Sequence, residues 1–214
     1  MRVITWNVRS LRDDPAGVAQ VLRSAAPDLV FVQEAPRLWR WRSACARLAR
    51  EAGLVVVTGG RPAAGNLLLC SMRVQVVGAS DRLLPKQPGL HRRGAVVADL
   101  RVDGRELSVL GTHLDLDPAV RLDSAHRLRE APGDRVDLVG ADVNEEPGGA
   151  AWLALSSGLV DVGAGAGPTF SVAQPRRRID GLFVTPRLRP VSVQVLDSGP
   201  VSDHKPVLAE LAWS

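Results

Sequence analysis

Short apolar runs recur along this chain, and most of them end on an acid, an amide or a histidine before a loop begins. Residues 2–8 read as a strand that ends at Asn7. The continuous apolar run at 29–32 has the pattern of a strand buried on both faces, and it delivers Gln33 and Glu34. Residues 54–57, 66–71 and 73–77 read as further strands. Residues 95–100 and 106–111 form a predicted hairpin that turns at Asp103-Gly104 and ends in Thr112-His113. The run at 135–139 leads into Asp142 and Asn144, and 178–184, 191–196 and 206–212 are the last predicted strands. Asp180 lies inside the first of these, and Asp203-His204 stands just before the last.

Helical spacing appears between the strands. Asp14-Pro15 is a cap followed by a first-turn proline, and Val18, Val21, Leu22 and Ala25 continue as one stripe. A second helix is expected over 37–52, with Leu38, Trp41, Cys45, Leu48 and Ala52 on one face, arginines on the others and Gly53 at its end. Asp117-Pro118 opens a third that runs to about Glu130 and stops at Pro132-Gly133. A short fourth helix is expected from Pro147 through Trp152 and Leu155, and 58–65, 78–94 and 158–168 read as loops. Strands outnumber helices and the helices interrupt them irregularly. That pattern predicts two packed sheets with helices outside rather than a regular doubly wound sheet. No repeat or linker divides the chain, so one domain over 1–214 is expected.

Composition narrows the class. Hydrophobic residues make up 45% and charged residues 23% of the 214, which suits a folded protein and excludes a disordered one. No apolar run reaches the length of a membrane span, and Met1 leads straight into a strand, so we expect a monomer in the cytoplasm. Cys45 and Cys70 sit in apolar contexts and read as buried thiols. Net charge is +4 with a pI near 10.0, carried almost wholly by arginine. Arginine suits phosphate recognition, but the accompanying wealth of Ala, Gly and Val favours a GC-rich codon bias as its source.

The polar strand ends are the candidate chemistry. Hydrolysis of a phosphoester needs a metal, a group that activates water and donors for the phosphate oxygens. Glu34 and Asp203 are plausible ligands for a hard cation such as Mg²⁺ or Mn²⁺. Asp142 can accept a proton from water, Asn7 and Asn144 offer amides, and His113 and His204 can donate to phosphate, with Asp180 fixing a tautomer. Two cysteines and no HExxH motif exclude a thiolate or metalloprotease zinc site. The runs Arg176-Arg177-Arg178 and His91-Arg92-Arg93 either grip a phosphate backbone or are solvated loops. Trp39 either stacks on a ring or packs at a helix start, and the packing role is the expectation. His126 reads as a helix-surface residue.

Taken in order, Thr5-Trp6-Asn7, Gln33-Glu34, Gly65-Asn66, Gly111-Thr112-His113-Leu114, Gly140-Ala141-Asp142-Val143-Asn144, Arg178-Ile179-Asp180 and Ser202-Asp203-His204-Lys205-Pro206-Val207 resemble the exonuclease–endonuclease–phosphatase superfamily. The resemblance spans almost the whole chain. It implies a deoxyribonuclease I-like α/β (α+β) four-layer sandwich of two mixed sheets flanked by helices. It further implies that Glu34 binds a divalent metal with Asn7 and Asp203 nearby, that Asp142 orients or deprotonates water, and that Asn144 and His113 hold the phosphate. His204, braced by Asp180, would stabilise the transition state or serve as acid or base. Asn66, Arg93 and Arg178 are the candidates for holding substrate. The chain has no tyrosine, so the active-site tyrosine of abasic-site endonucleases is missing. The expected substrate is nucleic acid, DNA or RNA. A small-molecule or lipid phosphate is the second reading, and a non-catalytic phosphate binder the third.

Overall fold

The structure, a computed structural model, describes residues 1–130 and 135–214. Its strands, numbered in chain order, form two six-stranded sheets. One sheet holds β1 (Arg2–Asn7), β2 (Leu29–Gln33), β3 (Val55–Gly60), β4 (Asn66–Cys70), β11 (Leu188–Val195) and β12 (Val207–Trp213), in the order β11-β12-β1-β2-β4-β3. The other holds β5 (Gln75–Leu83), β6 (Gly94–Val102), β7 (Arg105–His113), β8 (Leu138–Asp142), β9 (Val160–Asp161) and β10 (Asp180–Val184), in the order β5-β6-β7-β8-β10-β9. Both are mixed: β1–β2 and β7–β8 are parallel, and the remaining pairs are antiparallel.

The alternation of side chains along the strands divides most buried apolar residues among three cores. Val3, Leu29, Phe31 and Leu68 of the first sheet meet Val96, Val109, Leu138 and Leu182 of the second. Their strand neighbours Ile4, Val30, Val32 and Leu69 point the other way, onto α1 (Pro15–Ala25) and α2 (Trp41–Ala52). Leu110, Val139, Ala141 and Phe183 likewise face α3 (Pro118–Arg129) and α4 (Ala150–Leu155). The result is helix, sheet, sheet, helix. Two glycines let the sheets close beneath the site: a methyl at Gly140 would lie 2.2 Å from Phe31 Cδ2, and one at Gly111 2.8 Å from its Cδ1.

Local signals explain where elements begin. Asp14 accepts from the Gly17 amide and Asp117 from the amides of Ala119 and Val120, each before a first-turn proline. Asp103 and Gly104 both have positive φ, as their tight hairpin turn requires. Three expectations need correction. The helix expected over 37–52 starts only at Trp41, because Arg40 takes a left-handed conformation and leaves Leu38 and Trp39 exposed. The segment 78–94 is not irregular throughout, since β5 runs to Leu83. This edge strand is exposed along nearly all its length and so carries no apolar pattern. Residues 58–60, read as loop, continue β3 across a bulge between Val56 and Thr58. The stop at Pro132-Gly133 lies outside the described residues.

Candidate active site

Register carries the polar strand ends to one place. In the two parallel pairs, β1 and β2 bring Asn7 and Gln33 level, and β7 and β8 bring His113 and Asp142 level. β10 runs the other way and begins there, with Asp180 opposite Asp142. β12 also begins there, with Val207 opposite Thr5, so Asp203 and His204 reach over the end of β1. A cavity of about 650 Å³ opens between the sheets at this end, lined by Asn7, Glu34, His113, Asp142, Asn144, Asp203 and His204.

Asp142, fully buried, is the hub. Its Oδ2 accepts from Asn7 Nδ2 at 2.9 Å, and its Oδ1 from the Asn144 amide at 3.0 Å. His113 Nε2 lies 3.4 Å and His204 Nε2 3.8 Å from Oδ2. His204 Nδ1 donates to Asp180 Oδ2 at 2.9 Å, and Asp180 Oδ1 is buried without a partner among the described residues. The Trp6 indole fixes the backbone by donating to the His204 carbonyl, and the Phe170 ring packs 4.7 Å from the imidazole.

The two histidines end in opposite charge states. Burial opposes a charge on His204, but the Asp180 and Asp142 carboxylates outweigh it and push the pKa up to about 10. Burial also opposes a charge on His113; Asp142 favours it, but Arg93, His204 and Arg37 do not, and the pKa falls to about 3. A neutral His113 can accept from Asn144 Nδ2, which lies 2.9 Å from its Nε2 and also donates to the Leu114 carbonyl.

These shifts predict a stability maximum for the metal-free protein. Between the ordinary histidine value and about 10, native His204 holds a proton that the unfolded chain releases, so stability falls as pH rises through that window. Between the ordinary value and about 3, the unfolded chain binds a proton that native His113 refuses, so stability falls as pH drops. Denaturant midpoints measured against pH should peak near neutrality, and His204→Gln should remove the alkaline decline. A decline unchanged in that variant would count against the charged imidazole.

Glu34 is presented differently. It follows β2 with a φ of 50°, a left-handed conformation uncommon for a side chain of this size, held by bonds from the Ser10 amide to its carbonyl and from the Ala35 amide to the Gly65 carbonyl. Its carboxylate has no hydrogen-bond or ion-pair partner among the described residues. Asp203 lies beside Arg9, 3.5 Å from its Nε. Asn7 Oδ1 accepts from the Arg9 amide and keeps a second lone pair. Glu34, Asn7 and Asp203 line one cavity and offer oxygen donors, the type that a hard divalent cation takes. Asp142, Asp180 and His204 also bring ligand atoms within 4.8 Å of one another. Their spacing is already explained by a protonated imidazole between two carboxylates, so we favour the Glu34 side for an ion.

The family model described as Endonuclease/Exonuclease/phosphatase family matches residues 4–204. The chain belongs to that family. Members of the endonuclease/exonuclease/phosphatase family are phosphoester hydrolases that depend on divalent metals. No curated protein matches the sequence significantly. Among solved structures, a mannosyl-6-phosphatase of Bacteroides thetaiotaomicron superposes with a TM-score of 0.84 at 17% identity, covering 100% of each chain. D. rerio TDP2 complexed with single-stranded DNA product gives 0.77 at 19%, covering 99% of this chain and 98% of that one. A family protein of Beutenbergia cavernae gives 0.73 at 25%, covering 100% of this chain and 72% of that one. The first two likenesses carry the deoxyribonuclease I-like fold; the substrates belong to those proteins.

Within this family fold, two of the three residues expected to hold substrate lie elsewhere. Arg178 pairs with Asp161 at 2.6 Å and stacks over Trp152, which ties β9 to α4. Asn66 is buried below the cavity, donating to the Ala63 and Gly94 carbonyls. Only Arg93 lines the cavity, and Asp115 holds its Nε at 3.1 Å. Arg177 reaches Glu146, and His126 sits exposed on α3 beside Glu130. Sequence reading missed Phe170, Arg12 and Arg37 on the cavity wall and took Trp39 for a packing residue, although it is 88% exposed at the cavity mouth. No spacing marks these residues. The one legible hint was Trp39 standing off the helical stripe.

Proposed function

We propose that the protein is a Mg²⁺- or Mn²⁺-dependent phosphoesterase that hydrolyses phosphodiester bonds of nucleic acid. The observation that supports this most is a cationic His204 held between Asp180 and Asp142 in the wall of a cavity also lined by Glu34, whose carboxylate has no partner among the described residues. Glu34, with Asn7 and Asp203 beside it, would hold the ion. When bound, the ion would neutralise charge on the phosphate and polarise the P–O bonds.

The chain's own residues supply the rest. Asp142, steadied by Asn7 and the Asn144 amide, accepts a hydrogen bond from the attacking water and takes its proton as the new P–O bond forms; the P–O bond to the departing oxygen breaks, and that oxygen leaves as an alcohol after taking a proton from solvent. His204 donates from Nε2 to the phosphoryl group, placing positive charge where negative charge develops. Asn144 and the neutral His113 position the remaining phosphate oxygens. Arg12 and Arg37 line the same cavity without carboxylate partners among the described residues, which suits a polyanion.

EDTA is expected to abolish hydrolysis, and Mg²⁺ or Mn²⁺ to restore it. Glu34→Gln should raise the metal concentration for half-maximal activity by about tenfold or more, the scale seen when metal-site groups are lost. An unchanged half-activation point would move the ion away from Glu34. The substrate class is tested with single- and double-stranded DNA, abasic duplex, RNA, an inositol phosphate, a choline phosphodiester and an aryl phosphate. Turnover confined to the small or lipid phosphates would overturn the nucleic-acid reading.

A further inference from the structure

Beside the catalytic cavity lies a second concave surface that the proposed reaction does not use. The 37–42 turn, the 61–64 turn and the 83–92 segment enclose a space of about 550 Å³. Arg37, Arg42, Arg61 and Arg92 line it, around Pro62 and Leu83. It shares Arg37, Leu38 and Ala64 with the catalytic cavity, so the two are continuous. Trp39 and Arg40 extend its rim, with the Arg40 guanidinium 5.5 Å from the Trp39 ring centroid.

Several arginines without a carboxylate partner among the described residues converge on this one concavity: Arg37, Arg40, Arg42, Arg61 and Arg92. Arg73, Arg121 and Arg187, by contrast, are neutralised by Asp28, Glu145 and Asp137. A row of uncompensated guanidiniums repels itself unless an anion lies along it. Leu38 and Trp39, 81% and 88% exposed, stand where the groove meets the catalytic cavity. An indole so exposed offers a face for stacking.

We propose that this groove is an extension subsite for single-stranded nucleic acid. Phosphates adjoining the scissile one lie along Arg37, Arg42, Arg61 and Arg92, and an unpaired base stacks on Trp39. The assignment rests on the phosphodiesterase reading above. A duplex offers no free base face to the indole, which selects a single strand. The arginines line a concavity rather than crown a protruding apolar tip, which favours a strand over a bilayer surface.

The test compares Arg42→Ala/Arg61→Ala/Arg92→Ala, all exposed positions outside the catalytic cavity, and Trp39→Ala with the parent protein. An aryl phosphodiester reads the catalytic cavity alone. A fluorescent single-stranded oligonucleotide of about ten nucleotides, within the usual range of single-strand sites, reads both. The triple variant should raise the oligonucleotide KM by about tenfold or more and lower its log–log salt slope by about 2, at about 0.7 per lost contact. Its kcat and its aryl diester turnover should hold. Trp39→Ala should raise the oligonucleotide KM about fivefold or more, and Trp39→Phe should recover most of it.

An unchanged oligonucleotide KM with an active aryl diester assay would overturn the subsite. So would equal losses on both substrates, or a loss of binding to anionic phospholipid vesicles with oligonucleotide kinetics intact. Anisotropy of the labelled oligonucleotide reads the groove without turnover. Tight binding that the triple variant abolishes, with neither substrate hydrolysed, would sink the hydrolase reading and keep the groove.

Discussion

Replacing His204 with alanine is expected to lower kcat by about two to three decades, the scale of losing one preorganised donor to developing charge. The metal requirement should stay, because Glu34, Asn7 and Asp203, the residues proposed to hold the ion, are left in place. The main structural link of this residue, the Trp6 indole bond, goes to its backbone carbonyl and survives the substitution. Fold loss is therefore separable from chemistry by a thermal melt, and His204→Gln keeps more of the volume against Phe170. Asp180→Asn is the informative companion. It keeps the ring in place but removes the charge that contributes most to holding the imidazole protonated. Its pH–rate profile should lose activity at lower pH than the parent's, since His204 then deprotonates earlier. The double variant should be little worse than His204→Ala alone, because the two residues act as a unit. Additive losses, or an unmoved alkaline limb in Asp180→Asn, would show that the pair does not act through a charged imidazole.

Asp142→Asn should cost at least about two decades in kcat, the range assigned to a positioned acid–base group. The physical case is close to a forced one. Asp142 accepts from the Asn7 amide and from the Asn144 backbone, so an asparagine must turn its NH₂ toward one of these donors. Only the orientation with its NH₂ at the Oδ2 position keeps the Asn144 bond, and it then faces Asn7 Nδ2 and cannot accept a proton from water. Asn7→Ala separates the two effects. It removes the facing donor and should lower kcat less than Asp142→Asn. Near-parent rates in a folded Asp142→Asn protein would place the base elsewhere. Because Asp142 is fully buried, the melt of each variant must accompany its rate.

The sequence alone reached far into both fold and site, for identifiable reasons. Alternation in runs such as Leu29–Gln33 fixed which faces are apolar, and capped starts at Asp14 and Asp117 placed two helices to the residue. Where polarity hid the pattern, as in the exposed edge strand Gln75–Leu83, only the first residues were read as strand and the continuation past Val77 was missed. Where a backbone outlier intervened, as at Arg40, the helix was started too early. Asn7, Glu34, His113, Asp142, Asn144, Asp203 and His204 were legible because each ends or adjoins a strand, and strand ends of two facing sheets share one edge.

Electrostatics was another matter. His113 and His204 are the same residue type in similar surroundings of apolar strand and loop. One is held neutral and the other charged. Burial opposes a charge on both rings; it prevails at His113, with Arg93 and Arg37 adding to it, and is overcome at His204 by Asp180 lying 2.9 Å away. These residues are remote in sequence, and only the fold brings them close. The arginines divide the same way. Arg178 stands in a basic run beside a site residue yet is spent on Asp161, whereas Arg37, Arg42, Arg61 and Arg92, scattered over three segments, converge on one groove with no carboxylate partner among the described residues. Periodicity is local and survives in the sequence. Charge state and pairing depend on through-space distance, which the packing of the two sheets alone decides.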